Sequence, residues 1–179
     1  MQPLNHDERE AANLYWLAYL LTGDHEASID AAVNASELRD GASAFFSTWV
    51  LRWSRMIAIS KALASVRGEL RESAGRTQER LARQRVPRLQ KWTPGLETTK
   101  IQLERALLAI DVFPRCVVVL AIFEGLPLED VAKLLDENLQ LVAKAHAVGL
   151  QDLASNLASM QPQASQSLIP PGLGNLQHA

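Results

Sequence analysis

Asp24-His25-Glu26 sets two carboxylates beside an imidazole, the side-chain set of proton-transfer chemistry. It directly follows Gly23, a natural left-handed helix stop, so these residues fit a helix start better: Asp24 as the cap and Glu26 complementing the helix dipole. The four histidines, His6, His25, His146 and His178, are scattered and share no metal-ligand spacing with the single cysteine, Cys116. Cys116 opens the run Cys116-Val117-Val118-Val119-Leu120, where a buried apolar role suits it better than nucleophilic attack. No glycine-rich phosphate loop and no nucleophile elbow occurs in the sequence. The expectation is a non-enzyme with no cofactor and no metal.

Charge carries more information. Residues 1–51 hold two basic and eight acidic side chains, residues 52–91 hold eleven and three, and residues 92–179 hold five and nine. A net −2 therefore hides a strongly basic centre between two acidic flanks. Such a block suits a phosphate backbone or an acidic protein face. One cysteine excludes a disulfide framework, no apolar run reaches bilayer length, and the polar start is not a secretory signal. A cytoplasmic protein with no membrane partner is expected.

The elements that must position these side chains are all helical. Leu14, Leu17, Ala18 and Leu21 form an amphipathic stripe, with Asn5 and Glu8 as a capping box and Gly23 as the stop. Asp24 caps a second helix with Ile29, Ala32 and Val33 inward, ending at Gly41. Ser43 starts a third, whose core face reads Phe46, Trp49, Val50, Trp53, Met56, Ile57 and Leu63, with Arg52, Arg55 and Lys61 alongside. At that spacing the aromatics, Phe45 among them, are expected to pack rather than stack on bases. Past Gly75 the pattern degrades into a basic, partly helical stretch broken at Pro87 and Pro94-Gly95. A second block follows with Ile101, Leu103, Leu107, Leu108 and Ile110, a break at Pro114, Cys116 to Phe123, a stop at Gly125, then Val131, Leu134 and Leu135. A last helix runs from about Asn138 to Leu157, and the Gln-, Ser- and Pro-rich tail should be disordered. The expected fold is all-α: a helical domain over 1–75, a basic linker over 76–97, a helix-turn-helix domain over 98–160 and a tail over 161–179. The turn between the last two helices spans three residues, the arrangement that lets a second helix enter a major groove.

Three stretches resemble the extracytoplasmic-function group of bacterial sigma-70 factors, over roughly residues 10–158. Leu14-Tyr15-Trp16-Leu17-Ala18-Tyr19-Leu20-Leu21-Thr22-Gly23-Asp24 is similar to the opening of that family's polymerase-binding domain. Phe46-Ser47-Thr48-Trp49-Val50-Leu51-Arg52-Trp53-Ser54-Arg55 is similar to its long helix. Leu107 through Phe123-Glu124-Gly125-Leu126 to Leu135 resembles the domain that reads the −35 element. The resemblance implies a sigma factor that binds core RNA polymerase and promoter DNA, with an anti-sigma factor as a further partner. It implies polymerase contacts at Asp30, Asn34 and Trp49. DNA contacts would be Arg52, Arg55 and Lys61 in the first domain and Asn138, Gln140, Lys144 and His146 in the second.

The departures from that family have consequences. The second helix keeps only Asp30 of the usual acidic set, the stretch from Ala35 to Ala44 is short, and Pro127 stands where a Ser or Thr cap is usual. The recognition helix is poor in cations. The alternative is therefore a sigma-like protein-interaction module, an anti-sigma target or decoy, that reads DNA weakly.

Overall fold

Gly23 ends the first helix with φ of +73°, and the Asp24 carboxylate then accepts a 2.8 Å hydrogen bond from the Ala27 amide to start the second. Both roles agree with the local sequence signals. The computed structural model describes residues 6–37, 47–83 and 98–160, and these residues are all-helical. In chain order they form α1 (His6–Thr22), α2 (His25–Ser36), α3 (Ser47–Ser65), α4 (Arg67–Arg83), α5 (Lys100–Leu108), α6 (Val112–Val118), a π-helical turn (Val119–Phe123), α7 (Leu128–Leu135) and α8 (Leu139–Met160). The capping box at Asn5, the stop at Gly41, the cap at Ser43, Phe45 and Phe46, the prolines of the linker and the tail over 161–179 lie outside the described residues.

Helices α1, α2 and α3 pack mutually, as the apolar stripe of α1 requires. The phases of α2 and α3 differ from expectation. The inward residues of α2 are Ser28, Ala31, Ala32 and Ala35, while Ile29 and Val33 are about half exposed. On α3 the inward face is Ser54, Ala58, Ile59, Ala62 and Leu63, and Trp49, Trp53 and Met56 face outward. The physical reason is close approach. Alanine and serine let the three helix axes draw together, and an indole at the same positions would force them apart.

The boundary drawn at residue 75 falls inside α4, which begins just past Val66 and runs without interruption through the first part of the basic stretch. Its Leu70 and Ala74 join a buried cluster with Leu17, Leu20, Leu21, Ile59, Leu107, Phe113, Cys116, Val117 and Leu120, so both halves of the chain contribute to one core. Each fully buried leucine or phenylalanine there contributes on the order of 1.5–3 kcal/mol. Pro114 does not break this region. Asp111 caps α6, and Pro114 sits in its first turn, where no helical amide bond is lost. Gly149 lets α8 lie directly on α6: a Cβ there would fall 2.6 Å from Val118 Cγ2 and 2.8 Å from the Pro114 carbonyl oxygen.

Candidate nucleic-acid interface

Trp49, Arg52, Trp53 and Met56 follow the i, i+3, i+4, i+7 spacing on the outer face of α3. Trp49 is 62% exposed and Trp53 52%, and their rings stack at a centroid distance of 5.5 Å with planes 13° apart. Arg52 is exposed on the same face and has no ion pair among the described residues. A paired aromatic surface flanked by a guanidinium has the composition found both in base-stacking surfaces and in protein hot spots.

Lys61 lies two turns further along α3. It faces a polar groove of about 440 Å³ shared with Asp24, Glu26, Asp30 and Asn34 of the α2 side. Asp30 and Asn34 are therefore brought together, joined by a 2.7 Å bond from Asn34 Nδ2 to the Asp30 carbonyl, but with Lys61 rather than with Trp49.

Arg55 points into the other half of the molecule. Its Nε and Nη2 grip the Glu124 carboxylate at 2.9 and 2.5 Å, and that hydrogen-bonded pairing raises the guanidinium pKa above its ordinary value. Glu124 caps the C-terminal end of the π-helical turn, whose last residue, Phe123, packs on α1. Phe123 meets Trp16 edge-on at 6.3 Å, and Trp16 donates a 3.0 Å bond to Glu104. Nearby, Arg115 is only 5% exposed and donates to the carbonyls of Leu21, Leu108 and Ile110 at 3.3–3.4 Å. The carbonyl ends of α1 and α5 thus converge on one buried guanidinium. Cys116 points at the same Leu21 carbonyl, and burial pushes its thiol up to about 12, which leaves it protonated and inert.

The α7–α8 pair follows the π-helical turn, with Asp136, Glu137 and Asn138 between its two helices. Gly125 turns the chain at φ +65°, Pro127 occupies the N-cap of α7 without a side-chain bond, and Asp136 closes α7 in the left-handed region. Asn138 then caps α8 by accepting from the Leu141 amide at 2.7 Å, which occupies its amide oxygen. Gln140 and Lys144 are exposed near the start of α8. His146 is half-buried, its pKa is lowered by that burial, and its Nε2 has no partner among the described residues, so it adds no positive charge at neutral pH. Asp136 and Glu137 immediately precede the helix, and the Lys133 ammonium is held by Asp130 at 2.9 Å.

Sequence reasoning missed the part played by α4. Arg76 chelates Asp111 at 2.7 and 3.0 Å and Arg80 chelates Asp152 at 2.7 and 2.8 Å. The charge partition was the available signal: the basic centre meets an acidic flank of its own chain. At the first helix pair, His25 stacks on Tyr19 at 4.5 Å and hydrogen-bonds Tyr15, which fixes the imidazole in an aromatic cluster. Among the described residues no group of histidine, cysteine and carboxylate side chains could hold a metal ion, and no helix is long and apolar enough to cross a membrane. No protein-family model matches the chain, and neither does any curated protein or solved structure.

Proposed function

We propose that this chain is a divergent sigma-type factor without catalytic activity, which binds core RNA polymerase and contacts promoter DNA chiefly through α3. The observation that carries this reading is the outward Trp49–Arg52–Trp53 face. Two indoles left in water on a well-packed helix forfeit the burial that large aromatics normally provide, and a binding role accounts for that. Unpaired bases stack on such faces at about 1–3 kcal/mol per base with little regard to sequence, and Arg52 supplies a phosphate contact. The α7–α8 helix-turn-helix supports the same reading with a weaker, duplex-directed contact through Gln140 and Lys144. Titrating the full chain with a single-stranded oligonucleotide should quench tryptophan emission, and core polymerase should retain the chain in a pulldown. Failure of both sinks the proposal.

A second reading has its own support. Asp136 and Glu137 at the mouth of α8 oppose duplex DNA, and tryptophan with arginine is also the composition of a protein hot spot. Retention by a protein partner with no quenching by single-stranded DNA would favour the interaction module.

A further inference from the structure

Helix α4 lies along α6 and α8 with an unusually poor apolar face. Its buried residues are Leu70, Ser73, Ala74 and Thr77, whereas all seven residues of α6 are buried. Its apolar hold is limited to Leu70, Ala74 and the partly buried Leu81, and polar contacts add to it: the Ser73 hydroxyl accepts from the Phe113 amide at 2.9 Å, and Arg76 and Arg80 chelate Asp111 and Asp152. Both chelates are open to water, with the arginine side chains 52% and 41% exposed. Ion pairs of this kind weaken with salt, and phosphate oxygens match the two-point geometry in which the arginines are already held.

The far end of α4 stands beside the start of α8. Gln78, Leu81 and Ala82 form one wall of a groove of about 310 Å³, and Asn138, Gln140, Leu141 and Lys144 form the other. The side chains that would read a duplex are reached by solvent, but a second helix stands alongside them. A major groove receives one recognition helix between its phosphate walls, so α4 obstructs that docking.

We propose that α4 is a releasable strap, held over the reading end of α8 by the Arg76–Asp111 and Arg80–Asp152 chelates and freed when phosphate or salt displaces those carboxylates. This rests on the nucleic-acid reading of α8 given above. Release does two things at once: it clears α8 and frees two guanidinium groups for the DNA backbone.

The test places spin labels on the full chain at Gln78→Cys and Gln140→Cys, with the buried Cys116 left unlabelled. One short label-to-label distance is expected at low ionic strength. Asp111→Asn with Asp152→Asn should add a longer, broader population, and so should raised sodium chloride in the chain that keeps both aspartates. The same double variant should bind a duplex at least tenfold more tightly than a control carrying Glu37→Gln and Glu129→Gln, which removes equal charge away from the start of α8 and leaves the chelates. A single short distance in the variant and at high salt overturns the strap, even if binding tightens. A longer distance without tightening beyond the control upholds the strap and overturns the nucleic-acid reading of α8.

Discussion

Arg55 and Glu124 are 69 positions apart in sequence, yet their side chains form a two-point ion pair in which the carboxylate side chain is only 8% exposed. The pair joins α3 to the end of the π-helical turn, so it ties the two halves of the chain. The partners are unequal, because Arg55 keeps 38% of its side chain in water and Glu124 does not. Arg55→Ala strands a buried carboxylate and should destabilise by about 1–3 kcal/mol, whereas pairing it with Glu124→Gln should recover part of that loss. A double-mutant cycle by urea unfolding measures the coupling. Additive losses would mean that the two side chains do not act together in solution.

The outward face of α3 makes a different kind of expectation. A Trp49 buried in the core would make Trp49→Ala cost about 3–5 kcal/mol. At 62% exposure the change should stay within about 0.5 kcal/mol. Single-stranded DNA affinity should instead fall by about 1–3 kcal/mol. Melting and fluorescence titration on one variant separate the outcomes. A large fall in melting temperature with unchanged DNA affinity would return Trp49 to a structural role.

What the sequence conveys here is local. Gly23, Asp24 and Gly125 are legible because a helix stop or cap depends on a few neighbouring residues, and the all-helical class follows from period alone. The phase of α3 is not legible that way. Its outer stripe carries the bulky Trp49, Trp53 and Met56, whereas Ser54, Ala58 and Ala62 lie inside with Ile59 and Leu63, so the placing of the aromatics points to the wrong face. Helix proximity, a tertiary property, decides it. The arginine chelates are equally non-local. Nothing in the spacing of Arg76 and Arg80 names Asp111 or Asp152, and only the segregation of charge along the chain signals that a basic surface needs an acidic one. Asn138 illustrates a subtler loss: an amide at the start of a recognition helix reads as a base contact, but the uncapped amides of α8 claim its oxygen first.

Gly149 is a packing residue of α8 whose role only the structure discloses. Gly149→Ala improves intrinsic helix propensity by about 1 kcal/mol, which taken alone would stabilise. The added methyl, however, meets the Pro114 carbonyl oxygen at 2.8 Å, and backbone cannot step aside as a side-chain tip can. Overpacking should win, with a net destabilisation of about 1–3 kcal/mol and loosened α6–α8 contacts. Thermal melting decides the sign, and a raised melting temperature would show that the two helices separate without cost.

His146 sets an acid limit. Burial lowers its folded pKa beneath the ordinary 6.5, so the unfolded chain takes up a proton before the folded chain does. Where the unfolded state binds more protons, stability rises with pH, so this contribution is complete above the unfolded value and erodes as pH falls through 6.5 towards the folded pKa. His146→Gln should remove that slope between pH 7 and 5.5 while leaving carboxylate-driven acid unfolding in place. Asp111, whose pKa is lowered chiefly by its hydrogen bonds from Arg76, belongs to that second process: its contribution is present above 3.8 and is lost as pH falls through its depressed folded value. Identical pH profiles for the two proteins would place His146 in water.

Lys144 tests the proposed duplex contact of the C-terminal helix pair. It is the one cation of α8, exposed near the helix start, with Gln140 beside it as the remaining side chain able to reach a base edge. A single phosphate contact changes the logarithmic salt slope by about 1 and weakens all sequences alike, whereas a bidentate base contact discriminates by about 1–3 kcal/mol. Lys144→Ala should therefore weaken duplex binding uniformly and flatten its salt dependence by about one ion, and Gln140→Ala should erase what modest sequence preference exists. The full chain carrying each change, titrated against random duplex and a selected pool at two salt concentrations, measures both. A selected site preferred a thousandfold over random DNA would exceed what one amide and one ammonium can supply, and would require reading groups from a surface other than the start of α8.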